Sequence, residues 1–303
     1  MTESIEYFLF VFIRWFARKL SHRQVGALGA LLGNAVFTFT HFRKRVTFDN
    51  LTHAFPEKSA GEIRRIAAGA YQNYGRSILE MMWAGGQSEQ ELLKTVRIGN
   101  KDVIGKYLRE PGGLILLSAH YGSWEFLVHG LRLQLGRPVT MIAQQQRNSK
   151  INALITETRC RYGNTAIPMG VASREVFRRL LAGEMVLMLG DQSGSKASLY
   201  VDFFGRPAAT HQGPAAFSLK TGTPIVMVFL IRQKDGTSEA VFEEVDRTGL
   251  EAYTEENIIE LTRRHTAILE RYIRQHPDHW LWMHKRWKHT AYYQSHQTVE
   301  QDA

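Results

Sequence analysis

Gly113-Leu114-Ile115-Leu116-Leu117-Ser118-Ala119-His120-Tyr121-Gly122-Ser123-Trp124-Glu125 is the stretch on which the fold of this chain turns. Its first half is a short unbroken apolar run, the pattern of a strand buried on both faces rather than one. Similar runs occupy 139–143, 165–169, 186–189 and 225–231. Between them, 123–135, 149–162 and 173–181 carry apolar residues at helical spacing. Buried strands alternating with helices predict an α/β sandwich around a largely parallel central sheet, with helices on both faces. Two longer helices frame this core. One, 60–83, places Ile63, Ile66, Ala67, Ala70, Tyr71, Tyr74 and Ile78 on one stripe; the other, 255–275, is stopped by Pro277. The polar tail after Tyr293 is expected to fray.

The second half of the opening stretch carries the chemistry. In open α/β sheets ligands bind beyond the carboxyl ends of the strands, and His120 stands at such an end. Ser123 reads as an N-cap. Glu125, in the first helical turn, is within reach of one imidazole nitrogen, which would leave the other free to accept a hydroxyl proton near neutral pH. Such a pair is half of a serine-protease relay, and a base that activates an incoming alcohol directly needs no serine. Spacing alone leaves a plainer reading open: a hydrogen-bonded loop histidine and a glutamate that serves only the helix dipole.

The 303 residues, 44% of them hydrophobic, are enough to bury a large core. Cys160 is the one cysteine, so no intramolecular disulfide can form, and a reducing, cytosol-facing setting is expected. Lys and Arg exceed Asp and Glu by 38 to 29, for a net charge of +9 that favours anionic partners. The basic clusters lie beside apolar stretches. Tyr7-Phe8-Leu9-Phe10-Val11-Phe12-Ile13 runs into Arg14, Arg18 and Lys19, and a nearly uncharged stretch from 25 to 42 ends in Arg43-Lys44-Arg45. That arrangement suits helices lying in, or singly crossing, an anionic membrane. The chain therefore divides into N-terminal membrane-associating helices at 1–45 and a catalytic domain at 46–303. No nucleic-acid module is present, nor a Gly-x-Ser-x-Gly elbow or His-Glu-x-x-His zinc motif, which weighs against nucleic-acid binding and hydrolysis. A non-catalytic lipid-binding protein is the remaining rival.

Four ordered blocks narrow the choice: His120 to Glu125; Asp191-Gln192 after an apolar run; Val201-Asp202-Phe203-Phe204-Gly205-Arg206-Pro207 with Gly213-Pro214; and Trp280-Leu281-Trp282-Met283-His284-Lys285-Arg286-Trp287-Lys288. Together they resemble the late acyltransferases of lipid A biosynthesis, the lauroyl and myristoyl transferases. The His-x4-Glu element is shared more distantly with glycerophosphate and phosphatidylinositol mannoside acyltransferases. The resemblance implies a glycerophosphate-acyltransferase-like sandwich on the cytoplasmic face of the inner membrane. It implies direct transfer of an acyl chain from acyl carrier protein, or coenzyme A, to a hydroxyl of a glycolipid, foremost a lipid A precursor, with no metal or bound cofactor. A phosphatidylinositol mannoside or an ornithine lipid would suit the same machinery. Carried over, His120 is the general base and Glu125 its relay partner. Arg159 or its neighbour Arg161 is the functional arginine, and Asp191 supports the base or an arginine clamp.

Three further features admit two readings each. Arg206 offers a planar fork for phosphate or is a surface arginine. Backbone N–H groups near Gly122, or an arginine, could hold the thioester oxyanion. The Trp-rich block packs the core or lies at a membrane interface.

Overall fold

Side chains alternate between the faces of a strand, so each central strand feeds two layers. In the computed structural model, which describes residues 2–109 and 112–301, the strands are β1 (Val96–Ile98), β2 (Leu114–Ser118), β3 (Val139–Ala143), β4 (Thr165–Pro168), β5 (Met185–Leu189), β6 (Leu199–Asp202), β7 (Pro207–Thr210), β8 (Ile225–Arg232) and β9 (Ser238–Glu244). Among the described residues, seven of them form one sheet in the order β1-β9-β8-β2-β5-β3-β4, parallel throughout except for the antiparallel pair β8 and β9. β6 and β7 form a separate hairpin.

The helices, in chain order, are α1 (Thr2–Ala17), α2 (His22–Phe39), α3 (Lys44–Ala54), α4 (Ala60–Ala84), α5 (Glu89–Thr95), α6 (Lys101–Arg109), α7 (Trp124–Leu135), α8 (Ser149–Cys160), α9 (Ala172–Leu181), α10 (Gly213–Thr221), α11 (Glu255–Gln275) and α12 (Thr290–Gln301). Ile115 and Leu117 of β2, with Met227 and Phe229 of β8, face a layer made by α3, α9, α10, α11 and the Trp280–Trp287 block. Leu114 and Leu116, with Val226 and Val228, face a second layer containing α5, α6 and α7. The expected sandwich is present.

α4 belongs to both layers. Its first half, Ile63 to Tyr71, packs in one core and its last turns, Leu79 to Ala84, in the other. Ser59 and Glu62 close its N-terminus with a capping box. α2 lies so close along it that a Cβ on Gly33 would come within 2.1 Å of the Tyr71 carbonyl oxygen. Val25 and Phe37 of α2 are buried in the same cores as the sheet, so the N-terminal helices are packed onto the body.

The other face of α1 is open. Ile5, Phe8, Leu9, Phe12, Trp15 and Phe16 recur at helical spacing and are all exposed, Phe8 by 69%. Leu31, Leu32, Phe39 and Phe42 extend the apolar surface. Among the described residues no single helix is long and apolar enough to cross a membrane, although α2 and α3, bent by 97° at their junction, would pass that test together.

Several features add to the sequence reading. The tail after Tyr293 continues α12 as far as Gln301, and residues 302–303 lie outside the described set. β1, β6, β7 and β9 were not anticipated. The Trp-rich block follows the first of its two readings: Trp280, Trp282 and Trp287 are core residues, while Lys285 and Lys288 remain in solvent.

Candidate active site

Register places the site. β2 and β5 are adjacent and parallel, with Ser118 opposite Leu189, so the residues two positions beyond each, His120 and Asp191, emerge side by side at the carboxyl edge. Gly190 N–H donates to the Ser118 carbonyl oxygen at 3.1 Å and extends the ladder to that point. The Asp191 carboxylate then accepts three hydrogen bonds: from the imidazole Nδ1 of His120 at 2.8 Å, from the His120 backbone N–H at 3.0 Å, and from the Trp280 indole Nε1 at 2.9 Å. Asp191 is almost fully buried; the imidazole keeps a fifth of its surface.

These contacts fix the titration of the pair. Burial alone would raise the Asp191 pKa, but the His120 charge and hydrogen bonds, with the Trp280 bond, hold it well below the usual carboxylate range. Burial likewise opposes a charged imidazole, yet the Asp191 charge and hydrogen bond, helped by Glu125, raise His120 above its ordinary value, against a smaller opposing effect of Arg159. An ionised Asp191 can only accept, so Nδ1 carries the proton and Nε2 of the neutral ring presents its lone pair. Gln192 Nε2 stands 3.3 Å from that nitrogen. Trp124 packs its ring near the imidazole, with centroids 5.6 Å apart.

The expected hydrogen bond between His120 and Glu125 is therefore replaced. Glu125 does lie in the first turn of α7, close enough for its charge to act on His120, but its carboxylate is engaged by Arg159 of α8, with Nε at 3.0 Å and Nη2 at 2.5 Å. Arg159 and Arg161 part company here. Arg161 points away to the Gly85 and Gln87 carbonyl oxygens past the end of α4, which complements a helix C-terminus.

Gly122 has a backbone role. Its φ is +58°, and a Cβ there would lie 1.9 Å from the Leu230 carbonyl oxygen, so a side chain cannot be accommodated. Its N–H donates to the His279 carbonyl oxygen at 2.9 Å and is not available to an oxyanion. Ser123 sits at the N-cap position but its hydroxyl does not cap. It donates to Glu80 at 2.7 Å, and Arg232 binds both Glu80 and Ser123. Glu80 is completely buried; burial would raise its pKa, but Arg232 and His22 hold it far below the usual range. Arg206 lies at the β6–β7 turn, where its charge helps burial to lower the His53 pKa. Thr210, at the other end of that hairpin, is the residue bridged to Ser193.

Sequence reasoning did not assign partners to Trp280, Gln192, Glu80 or Arg232. Glu80 did leave a trace, because it is a lone charge inside the apolar run Ile78-Leu79-Glu80-Met81-Met82-Trp83. Among the described residues no group of three or more His, Cys, Asp or Glu side chains is disposed to hold a metal ion.

Comparison with known proteins gives this arrangement a family. The chain is 24% identical to the lipid A biosynthesis palmitoleoyltransferase of Escherichia coli (strain K12) over 91% of its length and 89% of the relative, and 21% identical to the lauroyltransferase of the same organism over the same shares. It is also 23% identical to the phosphatidylinositol mannoside acyltransferase of Mycolicibacterium smegmatis over 63% of both chains. The family profile for bacterial lipid A biosynthesis acyltransferases matches residues 1–289, and the chain belongs to that family of acyltransferases.

Proposed function

We propose that this acyltransferase moves a fatty acyl group from an acyl carrier protein or coenzyme A thioester to a hydroxyl of a lipid A precursor, with His120 as general base and Asp191 as its orienting partner. The observation that carries the reading is the 2.8 Å contact from His120 Nδ1 to a buried carboxylate, which leaves Nε2 as the basic atom. A hydroxyl hydrogen-bonded to Nε2 loses its proton as its oxygen attacks the thioester carbonyl carbon, and the Asp191 charge stabilises the imidazolium that forms. The new C–O bond is made, the C–S bond breaks, and the departing thiolate takes the proton back from Nε2.

Glu125 and Arg159 have a different part from the relay first expected of Glu125. As a bidentate pair beside the imidazole, they set the local field and offer a guanidinium at the site's edge for an anionic substrate group. The Gly122 N–H has no part in this machinery, because it is occupied by the His279 carbonyl oxygen.

A lipid acceptor agrees with the N-terminal segment, 1–45, as a membrane-contacting part. The apolar stripe on α1 is opposite the face that packs toward α8, where Arg14 binds Glu157, and α8 also carries Arg159. A peripheral protein resting that stripe on the inner membrane's cytoplasmic leaflet would draw its acceptor from the bilayer, and the +9 net charge favours anionic headgroups. The lipid A acceptor is preferred over a phosphatidylinositol mannoside because the lipid A enzymes match 91% of the chain and the mannoside enzyme of M. smegmatis 63%.

Purified protein in anionic vesicles, supplied with each thioester donor and each acceptor class and read by mass spectrometry of the lipids, tests this directly. His120→Ala is expected to lower the transfer rate about 10³-fold, in line with the usual worth of a general base. Transfer by His120→Ala at the parent rate would remove the base assignment; acylation of the mannoside lipid alone would replace the acceptor.

A further inference from the structure

Gln192 occupies a position that the mechanism above does not use. Its neighbours are pinned on both sides: Asp191 by His120 and Trp280, and Ser193 by its N–H donating to His284 Nε2 at 3.1 Å and by a β-bridge to Thr210. The backbone at Gln192 is thereby fixed, and the half-buried side chain reaches back to set its amide nitrogen 3.3 Å from His120 Nε2. Because Nδ1 carries the proton, Nε2 accepts and the amide N–H donates.

That contact cannot survive the reaction. An acceptor hydroxyl must take the same lone pair, and once the proton has moved Nε2 becomes a donor facing a donor. The amide N–H is therefore already free when a negative charge develops on the thioester oxygen. That oxygen lies one C–O bond from the carbon under attack, and the attacking oxygen is itself in hydrogen-bond contact with Nε2. The Gly122 N–H cannot supply the donor, since His279 has it.

We propose that Gln192 is a further catalytic residue, whose amide N–H, set against His120 Nε2, turns to the thioester carbonyl oxygen when the acceptor hydroxyl takes that lone pair. This rests on the reading of His120 as the base of acyl transfer. As the acceptor oxygen bonds to the carbonyl carbon, the C=O electron pair moves onto the carbonyl oxygen, the hydroxyl proton passes to Nε2, and the amide donates to the oxyanion. When the C–S bond breaks, the electron pair returns to re-form the carbonyl, and the thiolate leaves with the proton from Nε2.

The test compares Gln192→Ala, Gln192→Met and His120→Ala in the full-length protein, using acyl-thioester donor and lipid acceptor in vesicles. Methionine keeps the length of the side chain without a donor and serves if alanine loosens the loop. Both Gln192 variants are expected to lose about 100-fold in kcat, the worth of one oxyanion donor, with KM changed less than about threefold and the unfolding midpoint unmoved. A parental or raised kcat in both, while His120→Ala is crippled, would overturn the role of Gln192 and leave the base in place; so would a loss confined to KM. Full activity in His120→Ala as well would overturn the underlying reading.

Discussion

The two walls of the site each present a carboxylate to His120, and they are built differently. On the sheet side, Asp191 is fixed by strand register, nearly sealed from solvent, and bonded to the backbone and ring of His120 and to Trp280. On the helix side, Glu125 and Arg159 are borne by two separate helices, each side chain is about 15% exposed, and the two bond to one another rather than to the imidazole. A group that must hold one tautomer through every turnover gains from immobility, because its alignment is then set before substrate arrives. A group that meets a charged lipid gains from partial exposure, since a fully buried guanidinium has no face left to offer. The contrast supports the proposed division, with orientation given by the sheet and substrate contact by the helices.

The strongest way to break that assignment is to disable each wall in turn. Asp191→Asn keeps the shape of the side chain but turns an acceptor into a mixed group, which removes the preference for the Nδ1–H tautomer. The expected loss in kcat is about 10³-fold, on the scale of general-base catalysis itself. Glu125→Gln leaves the tautomer alone and should lose less, about 10- to 100-fold, mainly through a guanidinium left unpaired beside an imidazole that must become positive. If Glu125→Gln proved worse than Asp191→Asn, the roles of the walls would be reversed.

The helix wall can be sharpened by a double-mutant cycle. Glu125→Ala leaves Arg159 unbalanced and Arg159→Ala leaves Glu125 unbalanced, so each single change carries the cost of the stranded partner. The double variant should recover roughly 1 to 2 kcal/mol of activation free energy relative to the sum of the two single losses, because the partners touch. Strict additivity in kcat/KM would mean that the pair acts on substrate independently, and the shared-field account would fall.

The two walls were legible by different routes, Glu125 by local spacing and Asp191 only through the family resemblance. Glu125 is five residues from His120, so local spacing brings it into view, and strand-end reasoning located His120 itself. Asp191 is 71 residues away, and its approach depends on β2 lying next to β5, a matter of strand order that an apolar run does not encode. β2, β3, β5 and β8 were readable because they lie inside the sheet, where burial on both faces makes them mostly apolar, whereas β4 is an edge strand in which only Ile167 is fully buried. β9 was not readable, since only Ser238, Ala240 and Phe242 of Ser238–Glu244 turn inward and acidic residues stand between and after them. The Asp235-Gly236 pair before it, with Gly236 at φ +87°, was the available sign of a hairpin. Ser123 shows the same limit at smaller scale: its N-cap position follows from sequence, but the hydroxyl is drawn away by a buried carboxylate on α4.

The smallest expected effects are the most discriminating, because they differ in sign. A general base works only when neutral, so kcat/KM should rise with pH through the His120 pKa, which lies above the ordinary imidazole value, and fall away below it. Asp191 and Glu125 raise that pKa and Arg159 lowers it. Asp191→Asn and Glu125→Gln should therefore both move the acid limb to lower pH, Asp191→Asn by more, whereas Arg159→Gln should move it to higher pH by freeing the Glu125 charge. Profiles of kcat/KM report the free enzyme, and varying salt separates the two walls further. The shift from the partly exposed Glu125–Arg159 pair should shrink as ionic strength rises, while that from sealed Asp191 should persist. An Arg159→Gln limb displaced to lower pH would mean that the guanidinium does not oppose charge on the imidazole, and the electrostatic division between sheet and helices would have to be abandoned.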